Sequence, residues 1–330
     1  MRVEVLGAGI IGLAVADELS RRGHGVEVVD PDPGRGASYA AAGMLSPCAE
    51  VWHGEQALLE LGRRSLNLWP AFAESLGVPV QRTGTLLVGR DAGDLQEVHR
   101  QAGLVDSLGG RVEQVDARTC RRLEPTLATV AGGALLPADH SVDPRAVLDA
   151  LLDRVPVQST ARGAEVTVIA TGAVLPAPYA GLVRRVRGEV VRARTDDPPR
   201  RTVRGWVRGE AVYIVPRPDG ELVIGATSEE HDTPARVTVG GVARLLTAAR
   251  ELLPGLDRAE LVETLARDRP GTADNLPVVG PTHEPGVVLA AGHFRHGVLL
   301  APLTAQLVAD HLDHGHLEPT TDPRRLLEPR

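Results

Sequence analysis

The period of hydrophobic and polar positions changes along the chain, and each change marks an element. Val3, Val5 and Leu6 form a short apolar run, residues 13–22 follow helical spacing, and residues 26–29 are apolar again. Between the first run and the helix stands Gly7-Ala8-Gly9-Ile10-Ile11-Gly12, so the opening predicts strand, glycine turn, helix and a second strand ending at Asp30. Residues 56–76 place Leu58, Leu59, Leu61, Leu66 and Leu68 on a mostly apolar helical face, with Pro70 expected to kink or restart the helix. Residues 84–89 predict a strand, 92–108 a helix, and 139–152 a segment with a Val-Asp-Pro helix start. A buried strand is expected over 164–172. Strands then dominate at 188–193, 203–207, 212–216 and 221–227, with Asp219-Gly220 as a hairpin turn between the last two. A helix over 242–253, an alternating strand over 260–267, a buried strand over 287–291, a turn at 292–297 and an apolar helix over 298–312 complete the pattern.

The glycine turn carries the first chemistry. Gly7 serves the tight turn, Gly9 lets backbone approach a pyrophosphate, and Gly12 lets helix and strand pack closely. Phosphates would sit at the helix N-terminus beside Ile10 and Ile11, where amide donors lack partners and the dipole favours anions. Asp30, 18 residues beyond Gly12, is placed to accept hydrogen bonds from an adenosine ribose. This unit predicts a dinucleotide site and leaves NAD and FAD open. The small-residue run 37–47 follows, with Ser38 able to cap a helix or donate to a phosphate.

Composition narrows the class. A chain of 330 residues with 43% hydrophobic content is long enough for two domains and a sizeable core. No apolar run approaches the roughly 20 residues of a membrane helix, and residues 1–15 lack a signal-peptide pattern, so neither membrane nor export is expected. Cys48 and Cys120 are too few for a disulfide framework and have no metal-ligand spacing, which makes a cytoplasmic location the expectation. A net charge of −7 with dispersed arginines, and only 2% aromatic residues, argue against nucleic acid. His311, His314 and His316 have a metal-like spacing but polar, terminal neighbours, and read as a solvated tail.

Taken together, GAGIIGLAVADEL (7–19), GASYAAAGMLSP (36–47), VDPRAVLDAL (142–151), ATG (170–172), VYIVPRPDGELVIGAT (212–227), RPGTADNLPVVGPT (269–282) and GHFRHGVLLAPLTA (292–305) resemble the glycine oxidase branch of the D-amino-acid oxidase and sarcosine oxidase flavoenzymes. The resemblance implies an α/β fold: a Rossmann-like FAD-binding domain of the glutathione-reductase type with an interleaved antiparallel-sheet α+β substrate domain. It implies FAD domain segments 1–75, 141–185 and 268–330, and substrate domain segments 76–140 and 186–267. FAD, held non-covalently, is implied rather than NAD. Ala41, Ala42, Gly43, Met44 and Leu45 would pass the flavin ring, and Ala170, Thr171 and Gly172 the adenine half. The turn Gly292, His293, Phe294, Arg295, His296, Gly297, Val298 and Leu299 would aim amides at the pyrimidine edge of the flavin, where a helix N-terminus stabilises negative charge.

The implied reaction is oxidation of a small amine or amino acid with a carboxylate: hydride transfer from the α carbon to flavin N5, hydrolysis of the imine, and reoxidation by O2 to hydrogen peroxide. No dedicated base is demanded. Arg269 matches the family's carboxylate ligand, Tyr213 a pocket tyrosine on the same carboxylate, and Arg295 an arginine near the active site. The alternatives are a glycine oxidase of thiamine biosynthesis and a D-amino-acid dehydrogenase with a quinone acceptor; a homo-oligomer is left open.

This chain departs from the family pattern in places. Where the family usually reads Trp-Ala-Gly-Leu-Arg-Pro, it has Leu265-Ala266-Arg267-Asp268-Arg269-Pro270. Ser228 stands where a larger apolar residue can close the pocket. These two changes suggest a pocket wide enough for an N-substituted glycine such as an N-carboxymethyl amine, with Arg267 meeting a second carboxylate; the plainer reading has Arg267 facing solvent and paired with Asp268. The segment between Leu152 and Ala164 is shorter than usual, and Asp30 is shorter than the family's glutamate, so its ribose contact is expected through water.

Overall fold

The structure, a computed structural model, describes residues 1–160, 163–230 and 233–327, so Ala161 and Arg162 of the shortened segment lie outside it. In chain order, β1 (Arg2–Leu6), α1 (Ile10–Arg21), β2 (Gly25–Val29), α2 (Ala37–Ala40) and β3 (Met44–Leu45) come first. Next are α3 (Gln56–Leu76), β4 (Thr85–Gly89), α4 (Ala92–Ser107), β5 (Glu113–Asp116), α5 (Ala117–Leu123), β6 (Gly132–Leu136), β7 (His140–Ser141), α6 (Pro144–Leu152) and β8 (Val157–Gln158). β9 (Val166–Ile169) precedes β10 (Arg184–Arg194), β11 (Thr202–Val207), β12 (Glu210–Pro216), β13 (Glu221–Gly225) and β14 (Glu229–Glu230). α7 (Val239–Leu252), β15 (Glu260–Gly271), β16 (Val278–Pro281), β17 (Val287–Ala291) and α8 (Gly297–His314) follow.

All but two of these strands form two large sheets; β3 pairs antiparallel with β7 apart from them. The first has the order β16-β17-β9-β1-β2-β8, parallel except for the edge strand β16. The chain steps from β1 to β2 on one side and later to β9 on the other, so the strand order reverses at β1. In open sheets of this kind, ligands bind beyond the carboxyl ends of the strands at such a reversal. The second sheet runs β14-β10-β13-β12-β11-β4-β6-β5, with β15 also pairing β10. It is antiparallel except where β4 lies parallel to β11, because β4 enters from the 76–140 excursion by a crossover and not by a hairpin. β10 and β15 belong whole to this sheet, so both run past the expected boundaries at 185 and 267.

Other expectations shift by a few residues for local reasons. α6 starts at Pro144 behind the Asp143 cap, whose carboxylate accepts from Arg145 N at 2.9 Å, and not at 139. Pro70 does not break α3, which is continuous to the left-handed Gly77. β13 ends at Gly225, short of Thr227. The stretch 125–137, which carries no strand signal beyond small residues, holds β6. Among the described residues no helix is long and apolar enough to cross a membrane, and no cluster suited to a metal occurs.

Close backbone packing sets the first strand and helix. Gly7 has φ +102, and a Cβ there would lie 2.4 Å from Ala170 O; one on Gly12 would lie 1.9 Å from Gly7 O. Gly9 is different: with φ −78, an added Cβ would meet only Ser38 Oγ, at 3.4 Å. The opening helix is then braced through α8, whose first turn is held by α3. Ser65 Oγ and Trp69 Nε1 both donate to the Leu299 carbonyl, at 2.6 and 2.8 Å, and Trp69 is fully buried.

Between β6 and β7, near Ser46 and Thr85, Asp139 is 1% exposed, and neither carboxylate oxygen has a hydrogen-bond partner among the described residues. Burial, against a weaker pull from Thr85 and Arg204, pushes its pKa up to about 7. The folded state therefore keeps a proton that the unfolded chain releases near its ordinary value of 3.8, and the stability tied to that proton is lost as pH rises through about 7. The melting temperature of Asp139→Asn, measured from pH 5 to pH 8, should climb relative to the unsubstituted protein as pH rises; a constant difference would contradict a neutral buried acid. Gly12→Ala should destabilise the fold itself by about 1–3 kcal/mol through overpacking, read by denaturant unfolding. Gly9→Ala should leave unfolding of the ligand-free protein nearly unchanged and weaken dinucleotide binding in titration.

Candidate active site

The carboxyl ends of β1, β2, β9 and β17 open into one cavity of about 520 Å³, whose other wall is a face of the second sheet. At its first end, Gly9 is the extended N-cap of α1 and offers no side-chain cap. Ser38 supplies it from across the chain: the Ile10 amide donates to Ser38 Oγ at 3.1 Å. Ser38 thus caps α1 and not the helix it sits in, an outcome local spacing could not show. Asp30 is bonded to backbone, accepting from Ala8 N at 2.7 Å and Asp32 N at 2.9 Å, which ties the glycine turn to the end of β2. Gly34 N completes the tie by donating to Ala8 O at 3.0 Å.

Of the residues expected on the cofactor, Gly7, Gly9, Ile10, Ile11, Asp30, Ser38, Ala41, Ala42, Gly43, Met44, Ala170, Thr171 and Gly172 line this cavity, as do His293, Phe294, Arg295, Gly297 and Val298. Gly12, Leu45, Gly292, His296 and Leu299 do not. Strand alternation at β3 turns Met44 to the cavity and Leu45 into the core, and Leu299 packs in that same core. Gly292, with φ +74, is where β17 bends tightly past Thr272, and Gly12 is buried against Gly7. His296 is buried beside Glu50, and neither ring nitrogen has a hydrogen bond among the described residues.

The sheet face supplies the second end. Tyr213 of β12 pairs across strands with Arg204 of β11 on one side and Gly225 of β13 on the other. A Cβ on Gly225 would fall 2.3 Å from the Tyr213 hydroxyl, and one on Gly188 of β10 would fall 2.4 Å from Arg269 Nη2. Two glycines in the sheet therefore let a tyrosine and an arginine lie flat over it. Arg269 lies within β15, not in a loop, and Nη1 donates to Thr227 O at 3.2 Å; no carboxylate among the described residues meets it. Burial raises the Tyr213 pKa, so its hydroxyl remains a donor. Ser228 is exposed at the cavity rim.

Arg267 also lines the cavity, but its partners are carbonyls: Nε donates to Arg35 O at 2.8 Å and Nη1 to Ala266 O at 2.9 Å. It is not paired with Asp268, whose carboxylate is bound at both oxygens by the buried Arg187, at 2.8 and 3.1 Å. Arg295 pairs with Glu55, donates to Glu50 O at 3.0 Å and stacks 3.9 Å over Trp52.

Glu50, Arg204 and Trp52 are cavity residues that spacing did not reveal. Glu50 lies in a loop and Arg204 in a strand, and only their 3.0 Å pair in space marks them. Burial opposes the Glu50 charge, yet Arg204 and Arg295 outweigh it and hold its pKa below the usual range. Burial lowers His293 to about 3 and His296 to about 4, so both imidazoles are neutral near pH 7 and neither is poised as a base. His293 instead shares a 2.8 Å bond with Thr304.

The donor set fits a dinucleotide flavin: amides at a helix N-terminus, a glycine with room only on the ligand side, and a long cavity running from Asp30 to Arg269. Comparisons with known proteins agree. Glycine oxidase of Geobacillus kaustophilus is 33% identical over 348 residues, covering 93% of this chain and 92% of the relative. Its crystal structure superposes with a TM-score of 0.86 at 30% identity, covering 100% and 99% of the two chains. A thiamine biosynthesis oxidoreductase, ThiO, of Rhizobium etli is 36% identical over 328 residues, 94% of this chain and 96% of the relative. The bifunctional ThiO/ThiG protein of Trichormus variabilis is 33% identical over 367 residues and 97% of this chain, which spans about half (53%) of that relative. The family described as DAO, FAD dependent oxidoreductase, matches residues 2–158 and 152–311, and the chain belongs to it.

Proposed function

We propose that this protein is an FAD-dependent oxidase of glycine or an N-substituted glycine. The reading is carried by Arg269: a cavity guanidinium with a carbonyl but no carboxylate partner among the described residues, beside the Tyr213 hydroxyl over two strand glycines. A planar fork with a neighbouring O–H suits a carboxylate, each charge-assisted contact contributing roughly 1.5–3 kcal/mol. Glycine oxidase relatives support the same substrate class.

FAD, when bound, supplies the two-electron acceptor. The chain's part is orientation. Arg269 and Tyr213 hold the carboxylate, which fixes the α carbon and its amine relative to the wall formed by Ala41 to Met44. The neutral His293, Glu50 paired with Arg204, and Arg295 paired with Glu55 line the cavity without offering a free base among these residues, so the amine enters already deprotonated. Oxidation at the α carbon then leaves an imine that water hydrolyses to glyoxylate and an amine.

The exposed Ser228 leaves the rim open for a substituent on nitrogen, and Arg267, free of carboxylate partners among the described residues, can meet a second substrate carboxylate. A glycine oxidase of thiamine biosynthesis is a second reading, supported by the Rhizobium etli and Trichormus variabilis relatives. Location in the cytoplasm and reoxidation by O2 belong to the proposal as well, and the division into an FAD domain and a substrate domain follows the two sheets.

Anaerobic bleaching of the flavin should occur with glycine derivatives, and under air peroxide should form; reduction of a quinone without peroxide would instead make it a dehydrogenase. Among glycine, sarcosine and N-carboxymethyl amines, a substituted amine should be oxidised fastest, and glycine outrunning all of them would remove the wide-pocket reading. Arg269→Ala should raise the substrate concentration for half-bleaching by roughly ten- to a hundredfold while FAD stays bound; unchanged apparent affinity would exclude it as the anchor.

A further inference from the structure

Arg217 is 4% exposed, follows directly after β12, and has no part in the substrate site described above. Its Nη2 donates to the carbonyl of Ala42 at 2.5 Å, and its Nε and Nη1 are buried without a partner among the described residues. A buried guanidinium with two idle donors is costly and calls for a compensating use. Among the described residues, its side chain's one hydrogen bond goes to the run that lines the cavity.

That contact fixes a peptide plane. The Ala42–Gly43 bond is trans, so the Gly43 N–H points opposite to the Ala42 carbonyl. With the carbonyl drawn toward Arg217, the amide faces the other way. Gly43 lines the cavity, and its amide has no acceptor among the described residues. Neighbouring contacts act in the same sense: the Tyr39 carbonyl accepts from Arg145 Nε at 3.1 Å and from Arg192 Nη2 at 3.5 Å. A flip of the Ala42–Gly43 peptide would remove the Arg217 bond and put a carbonyl oxygen where the amide now is. Gly43 itself cannot be replaced without collision, since a Cβ would lie 2.0 Å from Val142 O.

We propose that Arg217 is a positioning residue that locks the Ala42–Gly43 peptide with its N–H toward the cavity, so that the flavin ring meets a donor there, and that this donor favours the reduced cofactor. The inference rests on the FAD oxidase reading. An N–H aimed at a ring that gains electron density on reduction binds the reduced form more tightly than the oxidised one, whereas a flipped carbonyl would do the reverse.

The experiment uses the FAD-loaded protein with Arg217→Met and Arg217→Lys, and reads the flavin midpoint potential, the flavin absorption spectrum and the affinity for sulfite, which adds to electron-poor flavins. Losing one hydrogen bond of ordinary strength corresponds to roughly five- to tenfold in an equilibrium constant. Arg217→Met should therefore bind sulfite about tenfold more weakly and lower the potential by about 30 mV for the two-electron couple. Arg217→Lys, which keeps a donor and a long stem, should stay within about twofold of native sulfite affinity. A Met variant that holds FAD with native potential and sulfite affinity overturns the inference. So does a Lys variant with a tenfold loss, which decides the matter if the Met variant does not fold. Failure of the unsubstituted protein to bind FAD overturns the oxidase reading and this inference together, whereas native behaviour of the variants overturns this inference alone.

Discussion

The cavity depends on how closely α1 approaches β1 and β9. Gly7 and Gly12 permit a contact in which backbone meets backbone, with no room for a methyl group at either position. That closeness places the helix N-terminus directly beyond the strand ends, where its unpaired amides are of use to an anion. Ser38 and Asp30 then serve the same turn from two sides, one capping the helix and the other holding the turn to β2. Loosening this packing would displace the amides.

The second sheet solves a different problem, that of placing positive charge over an apolar face. In a chain without lysine, arginines do this work, and the structure separates them by partner. Arg187, Arg204 and Arg295 are matched by Asp268, Glu50 and Glu55. Arg145 and Arg192 carry acidic partners and also bind a backbone carbonyl near the cavity, and Arg217 binds such a carbonyl with no ion pair among the described residues, in the field of Asp143, Glu221 and Asp219. Arg267 and Arg269 bind carbonyls and meet no carboxylate among the described residues, so charge inside the cavity is left for ligands to balance. Desolvation makes such charge expensive without an anion, and valuable once one arrives.

The neutral histidines fit this division. His293 and His296 sit where the family resemblance places the flavin-edge turn, yet burial holds both uncharged near neutral pH. The turn therefore offers amides and a strained Phe294, at φ +47, rather than a proton donor. A reaction that needs only orientation and an electron acceptor is consistent with such a site.

By itself the sequence determined the nucleotide unit, because its signals are local: strand period, turn glycines, helix spacing and an acid at the strand end lie within thirty residues. It also determined most elements to within a few positions, and, through the resemblance, the place of Arg269 and Tyr213. Only the tertiary structure decided which arginine meets which carboxylate. Asp268 stands next to Arg267 in the chain but binds Arg187 from the neighbouring strand, since successive side chains of a strand point to opposite faces. For the same reason Gly188 and Gly225 became legible only when register laid them under Arg269 and Tyr213, and the Glu50–Arg204 pair only when a loop and a strand 154 positions apart came within 3.0 Å. Interactions between distant residues leave no periodic trace, so packing and register had to assign them.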